Sequence, residues 1–135
     1  MTDSGCTFCR IASGDPWDQV FYADDDTVAF LDLAPATPGH ALVIPRHHAV
    51  DIFSISEGDY LAVSKAVHLV ARRLEDRLRP DGLSVFQSNR TAGWQDTFHF
   101  HVHVVPRYEG DQLITPWTAT TEDPDEVSRL AATLR

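Results

Sequence analysis

The sequence predicts an α+β domain: an antiparallel five-stranded sheet, one long helix packed on it, and a short helix at the C-terminal end. Three observations lead there. Five short runs rich in Val, Ile, Leu, Phe and Thr are separated by clusters of Asp, Pro and Gly, the alternation of strands and turns. Only Ser56 to Arg79 carries an apolar period of three and four over helical length. The strands do not alternate with helices, as a parallel sheet would require.

The elements follow in order. The first 20 residues read as irregular, with one short helix from Phe8 to Ser13. Val20 to Ala23 and Thr27 to Leu31 form a hairpin across Asp24, Asp25 and Asp26. Pro35, Pro38 and Gly39 break the chain before a third strand, His40 to Pro45. In the long helix, Ser56 and Asp59 stand at capping-box spacing. Tyr60, Val63, Val67, Val70, Leu74 and Leu78 form its apolar face, and Pro80, Asp81 and Gly82 end it. Leu83 to Ser88 is a fourth strand, Asn89 to Thr97 a polar loop, and Phe98 to Pro106 a fifth strand. Asp123, Pro124 and Glu126 occupy the cap, first turn and N3 positions of a final helix.

Composition narrows the function. The chain of 135 residues fits one domain, and 43% apolar with 23% charged residues is ordinary for a globular core. A net charge of -9 argues against binding DNA or RNA, whose phosphates it would repel. A small phosphorylated ligand stays possible in a local pocket. No apolar run reaches the ~18 residues of a membrane span, and Met1 to Gly14 lacks the apolar core of a signal peptide, so the expected location is the cytoplasm. The two cysteines, Cys6 and Cys9, are spaced C-x-x-C, which in a reducing compartment points to metal or redox work.

The chemistry concentrates at Phe98 to Pro106. In a strand the side-chain period is two, so His99, His101 and His103 would share one face while Phe98, Phe100, Val102 and Val104 pack on the core. Such a row serves either a metal ion or nucleophilic and acid–base chemistry on a phosphoryl group. The row alone does not choose.

The segment His99-Phe100-His101-Val102-His103-Val104-Val105 resembles the signature of the histidine triad (HIT) family of nucleotide hydrolases and transferases. Cys6-Thr7-Phe8-Cys9-Arg10-Ile11 with Ser13-Gly14-Asp15 resembles the start of bacterial members, and Phe30-Leu31-Asp32 with Pro38 to Pro45 resembles the ribose-binding segment and third strand. Asn89, Gln95 and Pro106-Arg107 fall at the expected distances. The resemblance covers about residues 5 to 110 in order and leaves 111 to 135 as a C-terminal extension.

It implies a homodimer paired through the long helix and a strand. It implies that His101 attacks the α-phosphorus of a purine nucleotide, that His103 binds a phosphate oxygen, and that His40 orients His101. Asp32 would hold the ribose, Asn89 and Gln95 the phosphate or leaving group, and Phe8, Ile11, Phe30 and Leu33 the base. Some bacterial members with this C-x-x-C complete a zinc site with two histidines, which here implies one structural Zn²⁺ per chain on Cys6, Cys9, His48 and His99. Two departures stand out: Trp94 replaces the glycine common before Gln95, and Asp96 replaces a Ser or Thr that assists the leaving group in many amidate-cleaving members. Two other readings compete: a nucleotide-binding module with little turnover, and a tri-histidine metalloenzyme.

Overall fold

The computed structural model describes residues 5–113 and 117–135. The expected irregular N-terminus falls partly on residues 1–4, and the C-terminal extension partly on 114–116. Both stretches lie outside the described residues.

Helix α1 (Thr7–Ala12) precedes the hairpin β1 (Val20–Ala23) and β2 (Thr27–Leu31). Then come β3 (Ala41–Pro45), the long helix α2 (Glu57–Leu78), β4 (Gly82–Phe86), β5 (Val102–Arg107) and α3 (Pro124–Leu134). The five strands form one antiparallel sheet in the order β1-β2-β3-β5-β4. The α+β class and the element order are as the sequence predicts.

The central strands are buried on both faces, and their alternation divides the core. Ala29, Ala41, Val43, Val102 and Val104 face α2 and meet Val63, Ala66, Val70 and Leu74. Val28, Phe30, Leu42 and Ile44 face the other way and meet Ile11 and Ala12 of α1. Helix α2 starts where Ser56 Oγ accepts from the Asp59 N–H at 3.1 Å. It ends at Arg79 in the left-handed conformation, φ 52°. Its expected apolar face is only partly buried: Tyr60 and Leu78 are exposed, and Ala66 takes a core place. Gly39 takes a backbone conformation that strains any side chain. Its φ is +92°, and a Cβ would lie 2.5 Å from Leu78 Cδ1. The turn into β3 therefore passes directly under the end of α2.

One boundary bears on function. Strand β5 was expected from Phe98, but its ladder begins at Val102 opposite Val43. Pro45 ends β3 and carries no N–H to continue the pairing. Upstream of Val102 the chain bonds elsewhere: the Phe100 N–H donates to Ala49 O at 2.7 Å. So only His103 lies on the paired strand, and His99 and His101 sit on an extended approach to it. Phe98, expected in the core, lies beyond the sheet and is exposed. Among the described residues no helix is long and apolar enough to cross a membrane.

Candidate active site and thiol–histidine cluster

A cleft opens on the α1 side of the sheet. Phe8 and Ile11 from α1, Phe30 from β2 and Leu42 from β3 give it an apolar wall, and Trp17, Leu31 and Leu33 extend that wall. Asp32, Asp96, Thr97, His101 and His103 line the polar part. The alternation of the histidine segment survives without strand pairing, so Phe100 enters the core while Phe8 packs edge-on to both His99 and His101 at 5.9 and 5.4 Å.

Fixed backbone partners assign the imidazole tautomers, because a carbonyl only accepts and an amide N–H only donates. His101 Nδ1 lies 2.7 Å from His99 O and must donate to it, which turns Nε2 away as the available lone pair. His40 Nδ1 accepts from the Ala36 N–H at 3.0 Å, so its Nε2 carries the proton. That Nε2–H donates to His103 Nδ1 at 2.9 Å. His103 is thereby left with Nε2–H as a donor. Phe86 stacks on its ring at 4.5 Å. Burial, followed by the neighbouring His101 and His40, pushes His103 down from its ordinary 6.5 to about 4, so the ring is neutral near pH 7. Burial lowers His40 as well, against the pull of Asp32.

The expected residues fall into three groups. Phe8, Ile11, Phe30, Leu33, Asp32, His101 and His103 line the cleft together. Asp32 Oδ1 accepts from the Ala34 N–H at 2.9 Å, and Oδ2 lies 3.8 Å from His40 Nε2. His40 stands behind the lining and orients His103, where the sequence reading had it orient His101.

Asn89 and Gln95 are not among the lining residues. Asn89 Oδ1 accepts from the Ile52 N–H and from Gln87 Nε2, each at 2.7 Å, and its Nδ2 donates to Gln87 Oε1 at 2.6 Å. Buried Gln95 accepts from the Arg90 N–H at 2.7 Å and donates to Val50 O and Thr97 O at 2.6 and 3.1 Å. Both side chains tie loops, and Gln95 presents Asp96 and Thr97 to the cleft. Sequence reasoning passed over Thr7 and Trp17, and Thr97, read as facing the other way if the strand began there, lines the cleft. Trp17 gave one signal, a large aromatic in an otherwise polar, irregular stretch.

His99 belongs to a different constellation. Its Nε2–H donates to Pro45 O at 2.9 Å. Its Nδ1 faces Cys6 Sγ at 3.5 Å and Cys9 Sγ at 3.4 Å, and Cys9 Sγ lies 3.3 Å from His48 Nδ1. The four ligand atoms lie within 4.8 Å of one another. Tetrahedral zinc with its usual bond lengths would set sulfur–nitrogen edges of about 3.5 Å, so this donor set fits that ion. Local structure explains the fit. Cys6 caps α1, its sulfur accepting from the Cys9 N–H at 3.4 Å, and one turn brings both thiols to the same side. His47, the neighbour of His48, is exposed and turns to Asp59 at 3.2 Å. The three triad histidines share no common focus: His99 meets the thiols, His103 meets His40 and Asp32, and His101 joins neither cluster. A tri-histidine metal centre does not fit that arrangement.

Comparison with known proteins agrees with this geometry. The HIT domain model matches residues 15–110. A crystal structure of a HIT family member from Bacillus subtilis superposes with a TM-score of 0.90 at 29% identity, covering 97% of this chain and 95% of that one. A Zn-bound histidine triad family protein from Mycobacterium smegmatis gives a TM-score of 0.75 at 34% identity, covering 95% and 91%. The adenosine 5'-monophosphoramidase HNT1 of Saccharomyces cerevisiae is 31% identical over 129 residues, 95% of this chain and 79% of that protein. The match of that domain model over residues 15–110, with a relative more than 30% identical along nearly the whole chain, makes this chain a member of the HIT family.

Proposed function

We propose that the protein is a nucleotidyl hydrolase or transferase that cleaves a purine nucleoside α-phosphate from its leaving group through a nucleotidyl-His101 intermediate. The observation that carries this reading is the His101 Nδ1 to His99 O contact at 2.7 Å, which leaves Nε2 as the free lone pair of a cleft-lining ring. Nε2 bonds to the α-phosphorus as the bond to the leaving group breaks, and the leaving group takes up a proton. Water then attacks the same phosphorus, the Nε2–P bond breaks, and the nucleoside monophosphate departs. His103 Nε2–H donates to a phosphate oxygen as charge builds there. Asp32 takes the ribose hydroxyls, and the apolar wall around Phe8, Ile11, Phe30 and Leu33 takes the base.

The test is AMP release from an adenosine phosphoramidate by wild type beside His101→Ala. Loss of the nucleophile is expected to lower turnover by at least about 10³-fold. Binding of AMP by both proteins with release by neither would favour a binding module and sink the enzymatic reading.

The same reading assigns one structural Zn²⁺ to Cys6, Cys9, His48 and His99, supported by the tetrahedral spacing of the donors and by the Zn-bound relative. His99, grouped with the catalytic residues by its place in the row, then acts through its backbone carbonyl on His101 while its ring holds the metal. A cytoplasmic location suits thiols kept reduced. A homodimer through α2 and β4 suits the apolar residues left exposed there.

A further inference from the structure

The two thiols stand outside the cleft, yet the helix they begin is one of its walls. Cys6 caps α1 and Cys9 lies one turn on, while Phe8 and Ile11 of the same helix line the cleft. Both sulfurs face His99 Nδ1, at 3.5 and 3.4 Å, and Cys9 Sγ also faces His48 Nδ1 at 3.3 Å. The His99 ring is fully buried and its Nε2–H is committed to Pro45 O, so Nδ1 can only accept.

The same pair meets the requirements of an oxidisable dithiol. Cys6 is half-buried and open to small solutes, and Cys9 is buried. Cys6 belongs to extended backbone before the helix, φ -93° and ψ 120°, where it can turn toward Cys9 without unwinding helical residues. Residues three apart on a helical turn are neighbours, within reach of a disulfide once the cap residue rotates. An accessible thiol with a second thiol beside it is what peroxides convert to a disulfide.

Resting on the thiol–histidine cluster and the nucleotide cleft read above, we propose that Cys6 and Cys9 form a peroxide-sensitive latch: their oxidation to a disulfide frees α1 from the sheet and withdraws the apolar wall of the cleft. Cys6 Sγ, as thiolate, attacks one peroxide oxygen and the O–O bond breaks. The departing oxygen takes a proton and leaves as water, with a sulfenic acid on Cys6. Cys9 Sγ, as thiolate, attacks that sulfur, the S–O bond breaks, the hydroxide takes a proton and leaves as water, and the S–S bond forms. The two sulfurs lose two electrons and the peroxide gains them. A disulfide has neither an S–H to donate to His99 Nδ1 nor a thiolate to hold the proposed zinc. A buried acceptor left without a donor shifts the balance between α1 docked and α1 open to water by about ten-fold or more. The helix has six residues and does not persist alone, so Phe8 and Ile11 leave with it. Small thiols of a reducing compartment return the pair to its dithiol form.

The experiment follows the full chain before and after treatment with hydrogen peroxide. Mass spectrometry reads the thiol state, a chromogenic chelator reads released zinc, hydrogen exchange reads α1, and calorimetry reads AMP binding. Peroxide is expected to give one Cys6–Cys9 disulfide per chain. Exchange is expected to speed up by at least about ten-fold at Arg10 and Ser13, whose amides bond to Cys6 O and Cys9 O. AMP binding is expected to weaken about three-fold or more as the docked fraction falls, and a dithiol with zinc is expected to restore both. Cys6→Ser, which cannot form the bond, is expected to show no response to peroxide. Thiols that stay reduced, or that pass to sulfinic acid with no disulfide, would overturn the latch. So would a disulfide that leaves exchange or AMP binding as it was, or an equal response in Cys6→Ser. Protein that carries no zinc yet forms the disulfide and frees α1 would end the zinc assignment and uphold the latch. AMP bound by neither form would instead sink the nucleotide reading, with exchange in α1 still deciding the latch.

Discussion

His103 shows how far one side chain's behaviour follows from its partners. Its Nδ1 is satisfied by His40, its ring is stacked on Phe86, and burial holds it near 4. The unfolded chain would protonate this imidazole below its ordinary 6.5, so between about 6.5 and about 4 the unfolded state binds the extra proton. The stabilisation is therefore complete above 6.5, is lost as pH falls through that window, and levels off near 4. For a half-buried ring this amounts to about 1–2 kcal/mol after solvent screening. Urea unfolding from neutral to mildly acidic pH is expected to show wild type losing that much more than His103→Asn. Equal pH dependence in the two proteins would refute it, and acid loss of a bound metal cancels in the difference. At this scale the sequence was informative where spacing decides contact. The alternation of His99, His101 and His103 put the rings on one side, while Asp32 in the cleft followed from the family resemblance and not from spacing. It was uninformative where a hydrogen-bond partner comes from a distant loop. No pattern could say that Asn89 would bond to Ile52, that Gln95 would reach Val50, or that His40 would meet His103 and not His101.

Helix α1 is six residues long, too short to persist unaided, since isolated helices below about 12 residues are marginal. Ile11 and Ala12 join the β2–β3 core, but the start of the helix is held by Cys6 and Cys9 facing His48 and His99. Phe8 of the same helix walls the cleft, so the cluster would set the proposed base slot at second hand. Removing the proposed zinc is therefore expected to loosen α1, lower thermal stability and weaken nucleotide binding together. With free zinc at a thousand times its dissociation constant the linkage is worth about 4 kcal/mol, or roughly 10–20 °C in Tm for a domain of this size. Metal analysis of chelator-free protein should find one zinc per chain, and Cys6→Ser should lose most of it. Well under one zinc per chain, or a Cys6→Ser protein that keeps its metal, would end the zinc assignment. The elements themselves were readable from period and punctuation: Ser56 and Asp59 start α2, and Pro38-Gly39 mark the turn into β3. The start of β5 was not. Its limit comes from Pro45 on the partner strand, a constraint visible only once the two strands are paired.

At the scale of the whole molecule the sheet has two edges, β1 and β4. Strand β4 reads Gly-Leu-Ser-Val-Phe, without the Lys, Pro or inward charge that protects solvent-facing edges. Val85 and Phe86 on it are each 48% exposed, and across the neighbouring groove α2 presents Tyr60, 39% exposed, with Ser64 and Val67. In the homodimer proposed above, this apolar patch beside an open sheet edge would be the association surface, met by a second copy across a two-fold axis. The apolar period of α2 was wider than the face it fully buries: Tyr60, in the same sequence pattern as Val63 and Val70, packs edge-on to Phe100 yet stays 39% exposed at the groove. Light scattering at micromolar concentration is expected to give twice the mass of one chain. Val85→Lys would set an ammonium group in the middle of that contact, raising the dissociation constant by about 30-fold or more, equivalent to about 2 kcal/mol. Val85 is not among the residues lining the cleft, so the variant separates association from the proposed chemistry. A monomer that keeps the circular dichroism of wild type would identify β4 and α2 as the interface. A wild-type protein that runs at the mass of one chain would show instead that this apolar edge is covered in some other way.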